Sequence, residues 1–519
     1  MAVTISINGQ VTEATPGVSL FEHAERLGIA VPTSCGKQGK CRECIVEVTE
    51  GMELLSAPTV EERHLAAPFR LSCRTLVRQV SDLPHIVCHT MRRGKMRIEQ
   101  RGQASALAHE PAPGYGLAMD LGTTTIVLRL YNLETGDLVA DTSFENPQRF
   151  GGSDVMSRIH YDTTHPGRLL MRTLAGYLSR AIAEFPVDPR SITEMVVVGN
   201  STMRDLFFRK SVYTIGQTPY RSITEIERDE GKRATTSLVE SGRRSLLPIH
   251  PEARVWGAPI LSGHVGADAA ACMLAVDIAH EDRLVAIMDI GTNTELVVGN
   301  RHRILAASCP AGPAFEGGAI TCGMPALEGA VEDFAIADDG TFRLGVIGDG
   351  APAGICGSGL VDILSELLRT GRMNELGRFD APRIDIAPGV CFTENDASEL
   401  AQAKGAHVAG LQIVFDNYGI GFDDIDVFYL AGGFGRHLKA DASRRIGLIP
   451  NLTDSKIVQI GNAAIEGASI ALLARSKRAE LEDLVRRVEH CRLETHPRFF
   501  DCFVEGCQFR PIPTLAHYA

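Results

Sequence analysis

The chain has 519 residues, with 64 acidic against 52 basic side chains and a formal net charge of −12. This length is enough for roughly three or four domains. The acidic balance and the absence of a long Lys/Arg run exclude a nucleic-acid groove. No apolar run reaches the ~18 residues of a membrane span, and the first residues lack the segments of a signal peptide. We therefore expect a cytoplasmic protein, in which structural disulfides are rare, so the 13 cysteines indicate a metal or cluster.

The first 95 residues are predicted to form a small α/β domain. Asn8-Gly9, between two short β-type stretches, predicts a hairpin turn. Ser19 with Glu22 three residues later predicts a capping box at the start of a helix. Apolar residues at 45–48 predict a further strand after an irregular, cysteine-bearing loop.

Four cysteines of this domain have a spacing that suits an iron–sulfur cluster: Cys35-x5-Cys41-x2-Cys44, then Cys73 after 28 more residues. A [2Fe–2S] cluster needs two thiolates per iron, and the plant-type loop has four residues between its first two cysteines rather than five. Two glycines in this loop allow tight folding, with N–H groups aimed at the sulfides. The alternative is a structural zinc site, which usually has two CxxC-type pairs. Cys73 has no such partner, so we favour the cluster. The stretch resembles the [2Fe–2S] ferredoxin domain, a β-grasp fold.

Two other groups of residues contain metal-ligating side chains. His85, Cys88 and His89 precede a predicted linker at residues 96–113, and a sheet strand with incidental histidines is the simpler interpretation. Near the C-terminus only three cysteines occur, at wide spacing, beside phenylalanines. We interpret them as buried structural thiols rather than cluster ligands; they are Cys491, Cys502 and Cys507.

One short motif occurs twice. Residues 120–125 (DLGTTT) return as residues 289–294 (DIGTNT), each between two apolar stretches, which predicts strand, tight turn, strand. The turn glycines let the backbone approach an anion, and the neighbouring hydroxyl, amide and N–H groups can donate to phosphate. The aspartates can hold Mg²⁺. Two copies predict two related domains that face each other across a nucleotide. The residues concerned are Asp120, Gly122, Thr123, Thr124, Thr125, Asp289, Gly291, Thr292 and Asn293.

From residue 114 onward the chain alternates strand-like and helical stretches with glycine-rich turns, as expected for an α/β protein. Gly357 and Ser358 open a predicted helix, whose N-terminus is a natural anion seat. A late apolar strand runs into Gly432-Gly433. Asn200 or Ser201 is expected to cap a helix. The helix after Gly357 and Ser358 is predicted at residues 360–368, and other helices are predicted at residues 269–278 and 397–410.

The two D-x-G-T hairpins and the strand that ends in Gly432-Gly433 resemble the sugar kinase/Hsp70/actin (ASKHA) superfamily. The resemblance implies that the two hairpins are phosphate loops and that the glycine pair borders the nucleoside. More specifically, residues 114–511 are similar to the ATPase part of the reductive activators of corrinoid-dependent enzymes, the RACo family. The matching stretches are GLAMDLGTTT, NPQRFGGSDV, VVVGNSTM, LSGHVGAD, IMDIGTNTEL, AGPAFEGGAI, GICGSGL, YLAGGFG and GNAAIEGA, together with the cysteine loop CGKQGKCREC.

This resemblance implies an α/β protein with a β-grasp [2Fe–2S] ferredoxin domain at 1–95 and a linker at 96–113. A two-lobed ASKHA-type ATPase domain follows at 114–519, with lobes at about 114–280 and 281–519. Longer members carry an extra small domain before the ATPase part, for which the short stretch between Cys88 and Gly114 leaves no room. The resemblance also implies a homodimer formed through the ATPase part.

The implied function is ATP-dependent reductive activation of a corrinoid protein or corrinoid methyltransferase. The cluster on the four N-terminal cysteines would pass an electron, received from an upstream donor, to Co(II) and restore Co(I). That transfer is uphill for a ferredoxin near about −400 mV. ATP with Mg²⁺, held through Asp120 and Asp289, would drive it, and the linker would let the cluster move towards the cobalt.

Three alternatives remain open at this point. A small-molecule kinase of the same fold would need a catalytic base, for which Asp268 or Asp154 is available, but a kinase does not explain a fused ferredoxin. A redox sensor would use the cluster to control a partner without catalysis. An activator of another low-potential metalloenzyme would share every motif, because the cysteine loop does not name its electron acceptor.

Overall fold

The computed structural model describes residues 4–78, 85–91, 109–433 and 435–512. Within these ranges the strands form two six-stranded sheets, one five-stranded sheet and two smaller ones. The helices of the described ranges are all too short or too polar to cross a lipid bilayer.

The N-terminal module is one mixed sheet with a single α-helix on it. The sheet order is β2-β1-β5-β3-β4, with β1 and β5 parallel. The predicted hairpin is confirmed, since Asn8 and Gly9 both have positive φ (51° and 83°), as a two-residue turn of the primed type requires. The capping box of Ser19 and Glu22 is also confirmed. The elements are β1 (Thr4–Ile7), β2 (Gln10–Glu13), α1 (Leu20–Arg26), β3 (Ile45–Glu50), β4 (Phe69–Leu71) and β5 (His85–Thr90).

The next part of the chain forms a six-stranded sheet in the order β10-β11-β9-β6-β7-β8, covered by helices. Asn200 is the N-cap of α4 and accepts a hydrogen bond from the N–H of Met203. The elements are β6 (Tyr115–Leu121), β7 (Thr125–Asn132), β8 (Leu138–Glu145), α2 (Val155–Thr164), α3 (Leu169–Ala183), β9 (Ile192–Val198), α4 (Ser201–Phe207), α5 (Ile223–Asp229), β10 (Leu238–Ser241), α6 (Gly242–Ser245), β11 (Arg254–Gly257) and α7 (Ala267–Ala275).

The remaining chain builds a second six-stranded sheet, in the order β21-β20-β12-β13-β14-β22, with two small sheets attached. Its elements are β12 (Val285–Ile290), β13 (Thr294–Gly299), β14 (Ile304–Cys309), β15 (Ala330–Ile336), β16 (Phe342–Val346), β17 (Gly354–Ile355), α8 (Gly357–Arg369), β18 (Arg383–Ala387), β19 (Val390–Thr393), α9 (Glu394–Tyr418), β20 (Val427–Ala431), α10 (Ala440–Ile446), β21 (Ile457–Gly461), α11 (Ala463–Leu473), α12 (Ser476–Arg487), β22 (Val488–His490) and α13 (Phe499–Gly506).

The two large sheets share one pattern. In each, an antiparallel three-strand meander (β6-β7-β8 or β12-β13-β14) pairs in parallel with a later strand (β9 or β20). Helices α7 and α11 pack against each other, and their apolar residues belong to a core that joins the inner faces of both sheets. The repeated motif therefore marks two related lobes around a common centre.

The N-terminal module is docked on the first lobe. Its buried apolar side chains form one continuous core with those that surround α2, α3 and α4. At the edge of this core Arg149 forms an ion pair with Glu47 of β3. The hydroxyl of Tyr161 donates to the carbonyl of His64 at 2.8 Å, and that of Tyr177 donates to the carbonyl of Glu43 at 3.4 Å.

Some predicted boundaries need correction. The helix expected at 269–278 ends at Ala275, and Asp277 adopts a positive φ of 54°, which the local sequence did not indicate. The helix expected at 397–410 extends from Glu394 to Tyr418 because Thr393 caps it and apolar residues continue beyond Gly410. Residues 96–108 of the predicted linker lie outside the described residues. Its last residues are attached to the lobes, since the N–H of Glu110 donates to the carbonyl of Leu473 at 2.9 Å.

Candidate functional site

The four N-terminal cysteines come together at one end of the N-terminal module. The sulfurs of Cys44 and Cys73 are 3.3 Å apart. Cys35 and Cys41 form a second interacting pair, and the hydroxyl of Thr33 lies 4.0 and 3.8 Å from their respective sulfurs. Cys41 and Cys44 are buried, whereas Cys35 and Cys73 are partly exposed.

This arrangement fits a [2Fe–2S] cluster, because two pairs of sulfurs match two ligands per iron. Burial alone would raise the pKa of Cys35, but hydrogen bonds from the backbone at Cys41, Gln38 and Lys40 lower it to about 7. Such N–H groups favour a thiolate. Gly36 and Gly39, with φ of 62° and 73°, give the loop the left-handed turns that direct these groups inward.

The repeated loops face each other across a cleft between the two lobes. We call residues 120–125 loop 1 and residues 289–294 loop 2. In loop 1 the N–H of Gly122 donates to the carbonyl of Thr125 at 3.0 Å, and a side chain at Gly122 would meet that oxygen at 2.5 Å. Only glycine therefore fits this turn. On the opposite wall a Cβ atom at Gly432, whose φ is 109°, would meet the carbonyl oxygen of Ile290 at 2.2 Å.

The two loops are in direct contact. The hydroxyls of Thr124 and Thr292 are 2.8 Å apart. Both donate to the same carboxylate oxygen of Glu316, at 3.0 Å from Thr124 and at a shorter distance from Thr292. Burial raises the pKa of Glu316, and the two hydroxyls lower it. The carboxylate thus occupies the hydrogen-bonding position that a phosphate oxygen would need.

Three aspartates lie deeper in the same cleft. Desolvation raises the pKa of Asp120 to about 7, although the amide of Asn462 donates to it at 2.8 Å and lowers the value. Desolvation likewise raises the pKa of Asp268 to about 7 and that of Asp289 to about 6. The thiol of Cys272 donates to Asp289 at 3.3 Å. The negative charges of these carboxylates oppose one another's ionisation.

The chemistry of this group fits a divalent cation. Among the described residues none of the three aspartates has an ion pair with lysine, arginine or histidine. Carboxylate oxygens are the ligands that Mg²⁺ prefers, and it usually keeps several waters and phosphate oxygens as well. A bound cation would offset the desolvation that raises the three pKa values.

A short segment behind loop 1 connects the cleft with the N-terminal module. The side-chain amide of Asn146 donates to the carbonyl of Gly122 at 2.8 Å, and its backbone N–H donates to that of Thr124 at 2.7 Å. A 3₁₀ turn, Pro147–Gly151, follows. It carries Arg149, the partner of Glu47. Since Glu47 lies three residues after Cys44, one of the four converging cysteines, few residues separate the cleft from the cysteine group.

The cleft contains all but one of the residues predicted to contact a nucleotide. Ser358 is the exception, since it is buried and its hydroxyl donates to the carbonyl of Glu332 at 2.9 Å. It therefore shapes the start of α8 rather than the cleft. The predicted residues that line the cleft are Asp120, Gly122, Thr123, Thr124, Thr125, Asp289, Gly291, Thr292, Asn293, Gly357, Gly432 and Gly433.

Sequence reasoning missed several residues of the site. Asn146, Glu316 and Asn462 lie in stretches that supported the family resemblance, but no local pattern around them indicates what they contact. Asn200 was expected only as a helix cap, and its amide also donates to the hydroxyl of Thr123 at 2.8 Å. Asp268 was considered only for the kinase alternative, and it lines the cleft.

The other cysteines and histidines that the sequence analysis considered as possible ligands do not converge in the described part of the chain. His85, Cys88 and His89 lie in β5, as the simpler interpretation predicted. The three C-terminal cysteines belong to no cluster of ligating side chains in the described part of the chain. The sulfur of Cys491 instead accepts a hydrogen bond from Asn417 at 3.0 Å.

Comparison with known families covers almost the whole chain. A model described as "2Fe-2S iron-sulfur cluster binding domain" matches residues 3–78. "RACo middle region" matches residues 115–281, and "C-terminal domain of RACo the ASKHA domain" matches residues 283–515. The chain belongs to the RACo family. The resemblance and the fold class inferred from the motifs are confirmed, and the first match favours the [2Fe–2S] cluster over zinc.

Two curated relatives support this assignment. "Corrinoid activation enzyme RamQ" of Eubacterium limosum is 30% identical over 431 residues, which cover 76% of this chain and 70% of the relative. "[Co(II) methylated amine-specific corrinoid protein] reductase" of Methanosarcina barkeri is 25% identical over 421 residues, covering 74% and 75%. A solved structure, "Reductive activator for corrinoid,iron-sulfur protein", superimposes with a TM-score of 0.71 at 24% identity, covering 98% of this chain and 99% of that one.

Proposed function

We propose that this RACo protein is an ATP-dependent reductive activator that restores Co(I) in a corrinoid protein of a methyltransferase system. The observation that carries the proposal is the union, in one chain, of a four-cysteine cluster module and a two-lobed cleft, connected through Glu47, Arg149 and Asn146. The names of the two curated relatives support corrinoid proteins as the target.

In this proposal residues 1–95 are the electron-carrying domain, residues 96–113 the linker and residues 114–519 the ATPase domain. Cys35, Cys41, Cys44 and Cys73 would hold a [2Fe–2S] cluster, which supplies a one-electron carrier when bound. An upstream donor would reduce it. We also propose that the protein is a homodimer, as the family resemblance implied.

Different residues of the cleft would bind the cation, the phosphates, the attacking water and the nucleoside. Asp120 and Asp289 would hold the cation, directly or through water. The hydroxyls and N–H groups of loops 1 and 2 would bind the phosphates. Asp268, which lines the same cleft and whose pKa of about 7 suits proton transfer near neutrality, would orient and deprotonate the attacking water. Gly432 would allow close approach of the nucleoside.

A movement of the lobes would couple ATP hydrolysis to electron transfer from the cluster. Nucleotide in the cleft would separate Thr124 from Thr292 and move loop 1, and Asn146 would transmit that movement to Arg149 and the docked cluster module. A ligand shifts such an equilibrium only through its different affinity for the two arrangements. The proposal therefore requires ATP to bind one arrangement more tightly than the other.

The test is a steady-state assay with the holoprotein, a chemical reductant and a Co(II) corrinoid protein, in which Co(I) formation is followed by absorbance. We expect ATP to accelerate Co(I) formation well beyond the reductant alone, and Asp289→Asn to abolish that acceleration. Equal rates with and without ATP would contradict the proposal. ATP consumption that depends on a sugar-like acceptor would favour the kinase alternative instead.

A further inference from the structure

A further pair of neighbouring cysteines lies outside the N-terminal module. The sulfurs of Cys322 and Cys391 are 3.9 Å apart. The backbone N–H of Cys391 donates to the sulfur of Cys322 at 3.3 Å, so a direct hydrogen bond joins the two cysteines. Both residues are partly exposed, so small molecules in solution can reach them.

A buried carboxylate holds the two cysteine-bearing segments together. One oxygen of Asp396, in the first turn of α9, accepts from the N–H and the hydroxyl of Thr321 at 2.7 and 2.9 Å. The other accepts from the N–H and hydroxyl of Thr393, both at 2.8 Å. Thr321 precedes Cys322, and Thr393 lies two residues after Cys391. The sulfurs therefore need to approach by only about 2 Å to reach the length of a disulfide bond.

The pair lies directly behind one wall of the cleft. The carbonyl of Cys322 accepts from the N–H of Ile355 at 2.8 Å, and the N–H of Met324 donates to the carbonyl of Ile355 at 3.0 Å. Met324 lines the cleft, as do Pro325 and Glu316 of the same segment. Any restraint at Cys322 consequently acts on residues 314–326, which carry the carboxylate that contacts both loops.

We propose that Cys322 and Cys391 form a reversible disulfide that weakens ATP binding when the surroundings become oxidising. This inference rests on the nucleotide site of the proposed function. The oxidant is a low-molecular-weight disulfide. The thiolate of Cys322 attacks it and releases one small thiol, and the thiolate of Cys391 then attacks the mixed disulfide and releases the second. The protein loses two protons and two electrons, and the cleaved oxidant takes them up as two thiols.

The effect on ATP follows from the position of Glu316. Its carboxylate accepts from Thr124 and Thr292, and nucleotide phosphate must displace it to use the same hydroxyls. A bond between Cys322 and Cys391 ties the segment that carries Glu316 to the β18–β19 hairpin and opposes that displacement. The reduced protein is free to open, so ATP is consumed only while reductant is available.

The experiment uses anaerobic holoprotein treated with oxidised glutathione, followed by alkylation and peptide mass spectrometry. We expect a peptide pair linked through Cys322 and Cys391 that disappears after treatment with a thiol reductant. ATP binding, measured by calorimetry, should weaken by roughly fivefold or more. Cluster absorbance before and after treatment verifies that the [2Fe–2S] centre is intact.

Variants separate this site from the rest of the molecule. Cys322→Ser and Cys391→Ser should each prevent both the linked peptide and the loss of ATP affinity. Cys507→Ser, a change of another partly exposed cysteine, should leave both effects in place. Full alkylation of Cys322 and Cys391 after oxidation, or a linked peptide with unchanged ATP affinity, would overturn the proposal. Neither readout involves cobalt, so failure here is distinct from failure of the proposed activity.

Discussion

Loops 1 and 2 have nearly the same sequence and the same hairpin geometry, but their neighbours differ. Loop 1 is held from behind by Asn146, which leads through Arg149 to the strand that follows Cys44. Glu316, on the segment that leads to Cys322, contacts both loops, since it accepts from Thr292 of loop 2 and from Thr124 of loop 1. The comparison teaches that loop 1 is linked to the N-terminal module through Asn146 and Arg149, whereas the contact with Glu316 is shared by both loops.

The largest expected effect separates the properties of the N-terminal module from those of the cleft. Cys44→Ser removes a buried thiolate of the cluster module, so we expect loss of the cluster and of all electron transfer. ATP binding at the two loops should persist, because no cysteine of that module lines the cleft. Iron analysis and calorimetry on the same preparation measure both properties. If the variant lost ATP binding as well as iron, the N-terminal module and the cleft would not be separable.

Asp289→Asn should affect the cleft and leave the N-terminal module unchanged. In the proposed function Asp289 would hold the cation, so its removal is expected to lower the rate of ATP hydrolysis by roughly a hundredfold or more, while the cluster spectrum stays unchanged. Phosphate release measures the first property and visible absorbance the second. Ser358→Ala is a matched control in the same lobe, since Ser358 does not line the cleft. A similar loss in both variants would argue against a specific role of Asp289.

Glu316→Gln tests whether the contact between the Glu316 carboxylate and loop 2 opposes nucleotide binding. The substitution removes a negative charge from the position that phosphate would occupy in the proposed function, so ATP affinity is expected to rise severalfold. Calorimetric titration of the two proteins at equal Mg²⁺ concentration provides the measurement. Weaker ATP binding in the variant would instead make Glu316 a direct ligand of the nucleotide complex.

Arg149→Gln should weaken the connection at loop 1 while leaving hydrolysis intact. The ion pair with Glu47 is partly buried, and its loss is expected to cost about 1 kcal/mol. ATP-stimulated Co(I) formation should therefore fall by roughly fivefold. The matched control is Arg180→Gln, which removes a surface ion pair between Arg180 of α3 and Glu184. Equal effects of the two variants would remove Arg149 from the coupling path.

The smallest expected effect concerns pH and thermal stability. The pKa values of Asp120 and Asp289, about 7 and 6, lie above the value near 3.9 of an unfolded chain. Their stabilising contribution in the nucleotide-free protein is complete below about pH 4 and is lost as pH rises through 6 to 7. The wild-type melting temperature should fall over this window more than that of Asp289→Asn. Identical pH profiles would contradict the assigned values.

The sequence was sufficient to predict features that depend on local spacing. Cysteine intervals predicted that four cysteines come together, and the repeated DxGT turns predicted the two facing loops, because each pattern relies mainly on residues within a few positions. Contacts between distant residues gave no such signal. Thr124 and Thr292 are 168 residues apart in the chain, and Arg149 and Glu47 are 102 apart. Ser358 was misplaced for a related reason, since a helix N-terminus predicts an anion seat without indicating which way its side chains point.

The most direct test of ATP-driven electron transfer is a single-turnover reaction. Protein with a pre-reduced cluster is mixed with one equivalent of Co(II) corrinoid protein, with ATP, with a non-hydrolysable analogue or with no nucleotide. We predict that one Co(I) forms for each cluster oxidised and that only ATP brings the reaction towards completion. Equal yields in all three mixtures, or cluster oxidation without Co(I), would contradict the account.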